Sequence, residues 1–333
     1  MKNQTLTRKW KGFILVAILL TSVVQSISYG QGSAKIYWTE TDKIRRANLD
    51  GSNVEDILTE LKWHQDIALD LNNRKMYWIG WGHSIKRANL DGTGVETIYD
   101  PQALNADKVE RIHSPITITL DTSAKKIYWG NMWAPWGMTR ADFDGSNIED
   151  ITILPVDGGV FNIRVDAEDI QLDVKAGKIY FQDSLNDNIA RVDMDGSNYE
   201  NLPLNMIHHD KIALDLQNRK MYSTRISHGQ IRRTSLDGNN KETILEELSY
   251  LNNIALDLHS HKMYWVERDT QKHNGKIIHK SKIRRANLDG SNVTTILTGL
   301  NTVRGIALDT EGVYDVSPDS NKLTTTWAIV KSK

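Results

Sequence analysis

The 333-residue chain contains no cysteine. That excludes disulfide stapling, thiolate zinc sites and thiol catalysis together, so stability has to come from packing. Nor does charge of one sign prevail: 41 basic against 42 acidic residues leave a formal net charge of -1. No global field draws such a chain to nucleic acid or to an anionic membrane, and any electrostatic effect has to be local. No serine-histidine-acid order, phosphate loop or histidine metal helix stands out, so motifs name no reaction. Helical periodicity is weak throughout. The apolar run over 13–24 is 12 residues long, short of the roughly 20 that a spanning helix needs.

That run follows Lys2, Arg8, Lys9 and Lys11 and precedes Ser28, Gly30 and Gln31. The order of charged, apolar and small residues predicts a signal peptide over 1–30, cleaved near Gly30. With no lipidation cysteine after it, the mature chain is expected to be exported, extracellular or periplasmic, without a membrane span. A cysteine-free exported chain of this length points to a bacterial protein rather than to a fragment of an animal receptor.

What the sequence does have is a repeat. An Ile-x-Leu-Asp element ends at Asp70, Asp121, Asp173, Asp215, Asp257 and Asp309. A second element carries Tyr37, Tyr77, Tyr128, Tyr180, Tyr222 and Tyr264, with Trp next in four copies, Phe181 in one and Ser223 in another. A third is Asp-Gly, at Gly51, Gly92, Gly145, Gly196, Gly238 and Gly290, each with an arginine five residues earlier. The period, from Gly51 to Gly290 over five steps, is about 48 residues. One array over 31–310 is therefore expected rather than two domains, with 311–333 as a C-terminal tail.

Short runs of Ile, Val, Leu, Tyr and Trp between Asp-Gly, Asn-Asn and Gly-Lys turns are strand signals. Each unit reads as four antiparallel strands: the Ile-x-Leu-Asp strand, the Tyr-Trp strand, the arginine strand, and a last one such as 54–58 or 95–99. Six units make an all-β, six-bladed β-propeller. The first copy lacks an Ile-x-Leu-Asp element before Tyr37 and the sixth such element has no unit after it, so 305–308 should join 35–38 in one blade and close the ring. Strand alternation puts Met76 and Trp78 on one face and Tyr77 on the other, both packed against neighbouring blades. Trp38, Trp78, Trp129 and Trp265 are thus core residues first. Asp142 to Asn147 and Asp193 to Asn198 resemble the start of a calcium loop, but Ile153 and Leu204 stand where the bidentate glutamate belongs, and a turn is expected instead.

These elements resemble the YWTD, or class B, repeats of the low-density lipoprotein receptor family. Tyr37-Trp-Thr-Glu40 followed by Ile44 to Gly51 is the closest copy, and the resemblance spans about 34–309. The motif's acid survives as Glu40, Asp183 and Glu267, whereas Gly80, Asn131 and Arg225 replace it elsewhere. Six arginines against three acids mean that a simple pairing of the two is not the arginine's sole role. The cysteine-rich modules that accompany these propellers in animal receptors are absent from this chain. The resemblance implies a non-enzymatic propeller that binds a protein or peptide, as Wnt co-receptors, lipoprotein-uptake receptors and basement-membrane components do, and the mature chain is expected to be a monomer. The matching residues are scaffold, and scaffold names no ligand.

Spacing separates the two faces of the disc. Aspartate to tyrosine is seven residues in all five internal copies, whereas glycine to the next aspartate is 19 in four crossovers but 29 and 28 in those ending at Asp121 and Asp173. The segment from Trp265 to Arg285, with Lys272, His273, Lys276, His279, Lys280 and Lys282, is also longer than its counterparts. Loops that vary are where binding residues tend to stand. The variable face carries Trp63, His64, Trp81, His83, His113, Trp133, Trp136, Phe161, His208, His209, Tyr250 and Arg304 as candidate ligand-binding residues. The alternative is a lactonase- or esterase-like hydrolase with calcium at the channel mouth, held by oxygen ligands among Gln65, Asp66, Glu168, Asp169, Asp210, Asn252 and Asn253. The main reading has no cofactor and no metal.

Overall fold

The computed structural model describes residues 34–62, 65–103, 113–132, 137–154, 163–204, 211–273 and 276–310, with the side chains of 269–278 excepted. The expected signal segment 1–30 and C-terminal tail 311–333 lie outside the described residues.

Six four-stranded antiparallel sheets account for the repeat. Blade 1 runs, from the centre outward, Ile306–Asp309, Lys35–Thr39, Ile44–Asn48 and Glu55–Leu58. Blade 2 runs Ile67–Asp70, Lys75–Ile79, Ile85–Asn89 and Glu96–Tyr99. Blades 3 to 6 repeat the order and begin at Pro115–Asp121, Ala167–Asp173, Ile212–Asp215 and Leu251–Asp257. The expected closure is present. Trp38 pairs with Ile306 and Lys35 with Asp309, and Gly305 N–H donates to Thr39 Oγ1 at 3.0 Å. The outer strands start one residue later than the turn spacing predicts. Val54 and Val95 stay 38% and 50% exposed, because the outer strand has a partner on one side only.

Packing follows the alternation. Met76 and Trp78 join Tyr37, Ile44 and Ala88 between blades 1 and 2, while Tyr77 joins Ile79, Ile127 and Trp129 between blades 2 and 3. Trp38, Trp78, Trp129 and Trp265 are at most 1% exposed. At about 25 cal/mol per Å² of apolar area, each such indole contributes roughly 4–6 kcal/mol gross.

The six arginines form a ring of staples. Arg46 Nη1 donates to Leu90 O in the next blade at 3.1 Å, and Arg87 to Phe143 O at 3.0 Å. Arg140 reaches Met194 O at 3.1 Å, Arg191 Leu236 O at 3.5 Å and Arg233 Leu288 O at 3.3 Å. Arg285 closes the circle on Leu49 O at 3.0 Å. Five of them also hold a glutamate on the outer strand of their own blade, such as Arg87 with Glu96 at 2.8 Å. The motif's acid serves another partner. Glu40 and Glu267 accept the indole N–H of Trp38 and Trp265 and bind Arg45 and Arg284, the residues before the ring arginines.

The Asp-Gly turns are load points of the same ring. Gly51 has φ +88°, and a Cβ there would lie 2.1 Å from Ile296 O in blade 6, so both conformation and contact require glycine. Asp144 Oδ1 accepts Ser146 N–H at 2.9 Å and its hydroxyl at 2.6 Å, while Ile153 and Leu204 are buried in the core. These bonds fit a turn that needs no metal.

Candidate functional site

The six inner strands touch one another around a central channel. The residue before each inner isoleucine stands at the channel mouth, and five of the six blades put a side chain there: Asp66, Thr117, Asp169, Lys211 and Asn253, with Gly305 in blade 1. Asp66 Oδ1 caps the N–H of Ile67 at 2.9 Å, while Oδ2 accepts the N–H of Ile118 at 3.1 Å and the hydroxyl of Thr117 at 3.0 Å in blade 3. Asp169 Oδ2 accepts the N–H of Ile212 in blade 5 at 2.6 Å. Asn252 and Asn253 donate to the carbonyls of Val303 and Arg304 at 2.7 and 3.2 Å. These four side chains clasp neighbouring blades. Lys211 Nζ donates to Glu168 O at 2.8 Å. Among the described residues no three His, Asp or Glu side chains converge as a metal would require; Asp210 lies outside them.

Burial raises the pKa of both aspartates. It lifts Asp169 to about 6, with the nearby Asp66 charge adding and Lys211 opposing, and it lifts Asp66 against the same lysine. Taking the carboxylates out of water disfavours the charged form more than one lysine restores it. Arg304 is lowered, first by burial and then by the charge of Arg268.

Above the channel two hollows meet. One, of about 320 Å³, is lined by Gln65, Asp66, Glu168, Lys211, Tyr250, Arg268 and Arg304 among others. The second, of about 410 Å³, is bounded by Gln65, Gly80, Trp81, Gly82, His83, Gln102, Met132 and Arg304. Gln65, Met132 and Arg304 belong to both. Trp81 stands 61% exposed on a 3-10 turn, Trp81–His83, between the second and third strands of blade 2. His83 Nδ1 is 2.9 Å from Pro115 O, tying that turn to blade 3. Tyr250 is 50% exposed, with the Arg268 guanidinium 5.0 Å from its ring centre, a cation–π contact that fixes both side chains.

Of the sequence-named binding residues, Trp81, His83, Tyr250 and Arg304 therefore line one continuous hollow. His113 does not. It is 9% exposed, lies against Trp129 and Tyr99, and has Nε2 2.6 Å from Asp150 Oδ1, which leaves it little surface for a ligand. Trp63, His64, Trp133, Trp136, Phe161, His208 and His209 lie outside the described residues. The segment after Trp265 is a long hairpin of Lys262–His273 and Lys276–Asn287 rather than an irregular loop.

Sequence reasoning missed Lys211, Arg268, Met132 and Gln102. Lys211 could have been found, because it precedes Ile212 as Asp66 precedes Ile67, but a lysine offers no oxygen ligand to a metal at that mouth. Arg268 carried no repeat signal.

Among the described residues no helix is long and apolar enough to cross a membrane. No protein-family model matches the chain, and no curated protein matches it either. Solved structures do resemble it. A chain of the nidogen–laminin complex superposes with a TM-score of 0.64 at 19% identity, covering 83% of this chain and 98% of that one. TolB from Acinetobacter baumannii gives 0.61 at 11% identity, over 84% of this chain and 67% of its own. A putative TolB from Agrobacterium tumefaciens gives 0.55 at 11% identity, over 82% and 92%. At these identities what the chain shares with them is the fold, a six-bladed β-propeller.

Proposed function

We propose that this chain is an exported, non-enzymatic binding module of the YWTD-repeat type, from a bacterium, that engages a protein or peptide through the hollowed face. The carrying observation is Trp81, a tryptophan 61% exposed at the rim of a preformed hollow of about 410 Å³. A large aromatic held in water on a short turn has no packing role, and such side chains dominate the energy of protein contacts. Tyr250, braced by Arg268, repeats the arrangement on the far side of Arg304. A similar fold in a chain crystallised as part of a protein–protein complex supports the same reading, as does the match of 34–309 to the YWTD pattern.

The test uses immobilised wild type, a Trp81→Ala/Tyr250→Ala double variant, and an Asn72→Ala/Asn73→Ala control on the opposite face, each exposed to native extracellular material. A partner should bind the wild type and the control, and the double variant about 30-fold more weakly, the scale of one hot spot of ~2 kcal/mol. Loss in the control with retention in the double variant would assign binding to the wrong face. Lactone hydrolysis by the purified chain, abolished by a chelator, would overturn the non-enzymatic reading.

A further inference from the structure

Two blades show what the scaffold does with the motif's acid. In blade 1, Glu40 Oε1 accepts Trp38 Nε1–H at 2.9 Å and Arg45 Nη1 at 3.3 Å, while Oε2 accepts Asn301 N–H at 2.9 Å. In blade 6, Glu267 Oε1 accepts Trp265 Nε1–H at 2.8 Å and Arg284 Nη1 at 3.0 Å. The cation sits directly across the strand pair from the tryptophan in both, Arg45 opposite Trp38 and Arg284 opposite Trp265. A carboxylate is thus held between an indole N–H and a cross-strand cation, with both donors charge-assisted.

Blade 2 keeps the donors and lacks the acid. Trp78 is fully buried, its Nε1 has no hydrogen-bond partner among the described residues, and Lys86 stands opposite it in the same register. Gly80 occupies the acid's position with the same backbone tie: Gly80 N–H donates to Ser84 O at 2.8 Å, as Glu40 N–H does to Lys43 O at 2.8 Å. A cavity of about 350 Å³ opens here, bounded by Trp78, Gly80, Trp81 and Lys86, with Lys62 at its side. Two carboxylates of the chain also border it. Asp100 Oδ1 accepts the N–H of Gln102 at 2.9 Å, and Glu60 is exposed at the border. A buried donor without a partner costs about 1–3 kcal/mol, so an acceptor that reaches it is favoured. Blade 3 differs: Trp129 Nε1 also has no partner, but Asn131 stands at the acid's position and donates to Thr139 Oγ1 at 2.9 Å.

We propose that blade 2 binds a carboxylate from outside the chain, between Trp78 Nε1–H and the Lys86 ammonium, where Glu40 and Glu267 serve blades 1 and 6 from within. The cavity is far larger than a carboxylate group and borders the exposed Trp81, so it takes the group on a side chain or small acid rather than a bare ion. This goes beyond the reading of the face as a protein-binding surface and is testable without any partner protein.

The probes are N-acetylglutamic acid α-amide, which presents one side-chain carboxylate, and its glutamine counterpart, titrated at constant ionic strength into the full ¹⁵N-labelled chain. The indole N–H resonance of Trp78 should move saturably with the acid and not with the amide. Lys86→Met should weaken the acid about tenfold, the ratio that ~1.4 kcal/mol of charge-assisted bonding converts to. Gly80→Glu places the acid in the chain itself. Gly80 has φ -103°, open to any residue, so this variant should fold, gain stability and no longer respond. If N-acetylglutamine amide moves the resonance equally, if the acid moves it only linearly, or if Gly80→Glu still responds with unchanged affinity, the proposal is wrong. Should acetate give the same saturable shift and the same variant pattern, the site stands as one for small free carboxylic acids rather than for acidic side chains.

Discussion

Replacing Trp38 and Trp78 by Phe, one at a time, turns the difference between their blades into a measurement. Both indoles are 0% exposed, and the loss of ring volume is the same, so the cavity contributions cancel between the two variants. The hydrogen bonds do not cancel. Trp38→Phe removes a donor from the buried Glu40 carboxylate, 2.9 Å away, leaving Arg45 and Asn301 N–H to hold it. A bond to a charged group contributes about 1.5–3 kcal/mol. Trp78→Phe removes a buried N–H that has no partner, which relieves a desolvation cost of about 1–3 kcal/mol. The Trp38 variant should therefore be less stable than the Trp78 variant by at least about 2 kcal/mol. In urea, with a slope near 3 kcal/mol/M, that is a midpoint difference of about 0.7 M. Buffers free of acetate and citrate keep Trp78 unliganded. Trp265→Phe should behave like Trp38→Phe, since Glu267 holds it in the same way. Equal losses at all three positions would refute the reasoning, because volume would then decide everything and the indole N–H nothing.

Arg87→Met should cost about 2 kcal/mol in urea unfolding, since it frees the Phe143 carbonyl and the exposed Glu96 together, and most of the loss belongs to the carbonyl. A loss below ~0.5 kcal/mol would mean that the staples do not hold the blades. Asp169 has a folded pKa raised to about 6 from 3.8 by burial, so the folded state binds the extra proton, and its contribution is fully present below about pH 4 and lost as pH rises through about 6. Asp169→Asn should flatten that decline and stabilise the protein at pH 8 by roughly 1–3 kcal/mol, its amide oxygen still accepting from Ile212; an unchanged pH profile would show that Asp66 or another group carries the effect. Mass spectrometry of the exported protein should find a first residue near Gln31, and an intact Met1 would count against a cleaved signal segment.

The fold was legible because its physics repeats. Six glycines at a fixed distance from six arginines correspond to constraints met blade after blade: at five of the six turns an added Cβ would lie 2.1–2.5 Å from a carbonyl oxygen of the preceding blade, at Gly238 it would lie 2.8 Å from Pro203 Cδ, and each arginine ties its blade to the following one. The ring arginine's partner was not legible, since a main-chain carbonyl more than 40 residues away leaves no mark on side-chain composition. Neither was the fate of His113. Its loop position suggested exposure, but Tyr99, Trp129 and Asp150, none of them adjacent in sequence, enclose it. The hollow was only half visible. Trp81 and Tyr250 interrupt polar connections and so declare themselves, whereas Arg268 and Lys211 belong to strands or their edges and read as ordinary surface charge.

Departures from the repeat say more than its matches. A repeated residue answers to the scaffold, which every blade needs, so Glu40 and Glu267 stabilise their blades and leave no donor for a visitor. Where Gly80 replaces the acid in blade 2, the donor it would serve does not vanish, because Trp78 is required by the packing between blades 1 and 2 whatever its N–H does. The cost of that unpaired group is fixed by the fold, and only something from outside the blade can remove it. Gly80 is followed directly by Trp81, which stands 61% exposed at the rim of the hollow. The second blade thus places an unsatisfied buried donor, Trp78 Nε1, three residues before the exposed Trp81, and the binding chemistry proposed for this face rests on that pair.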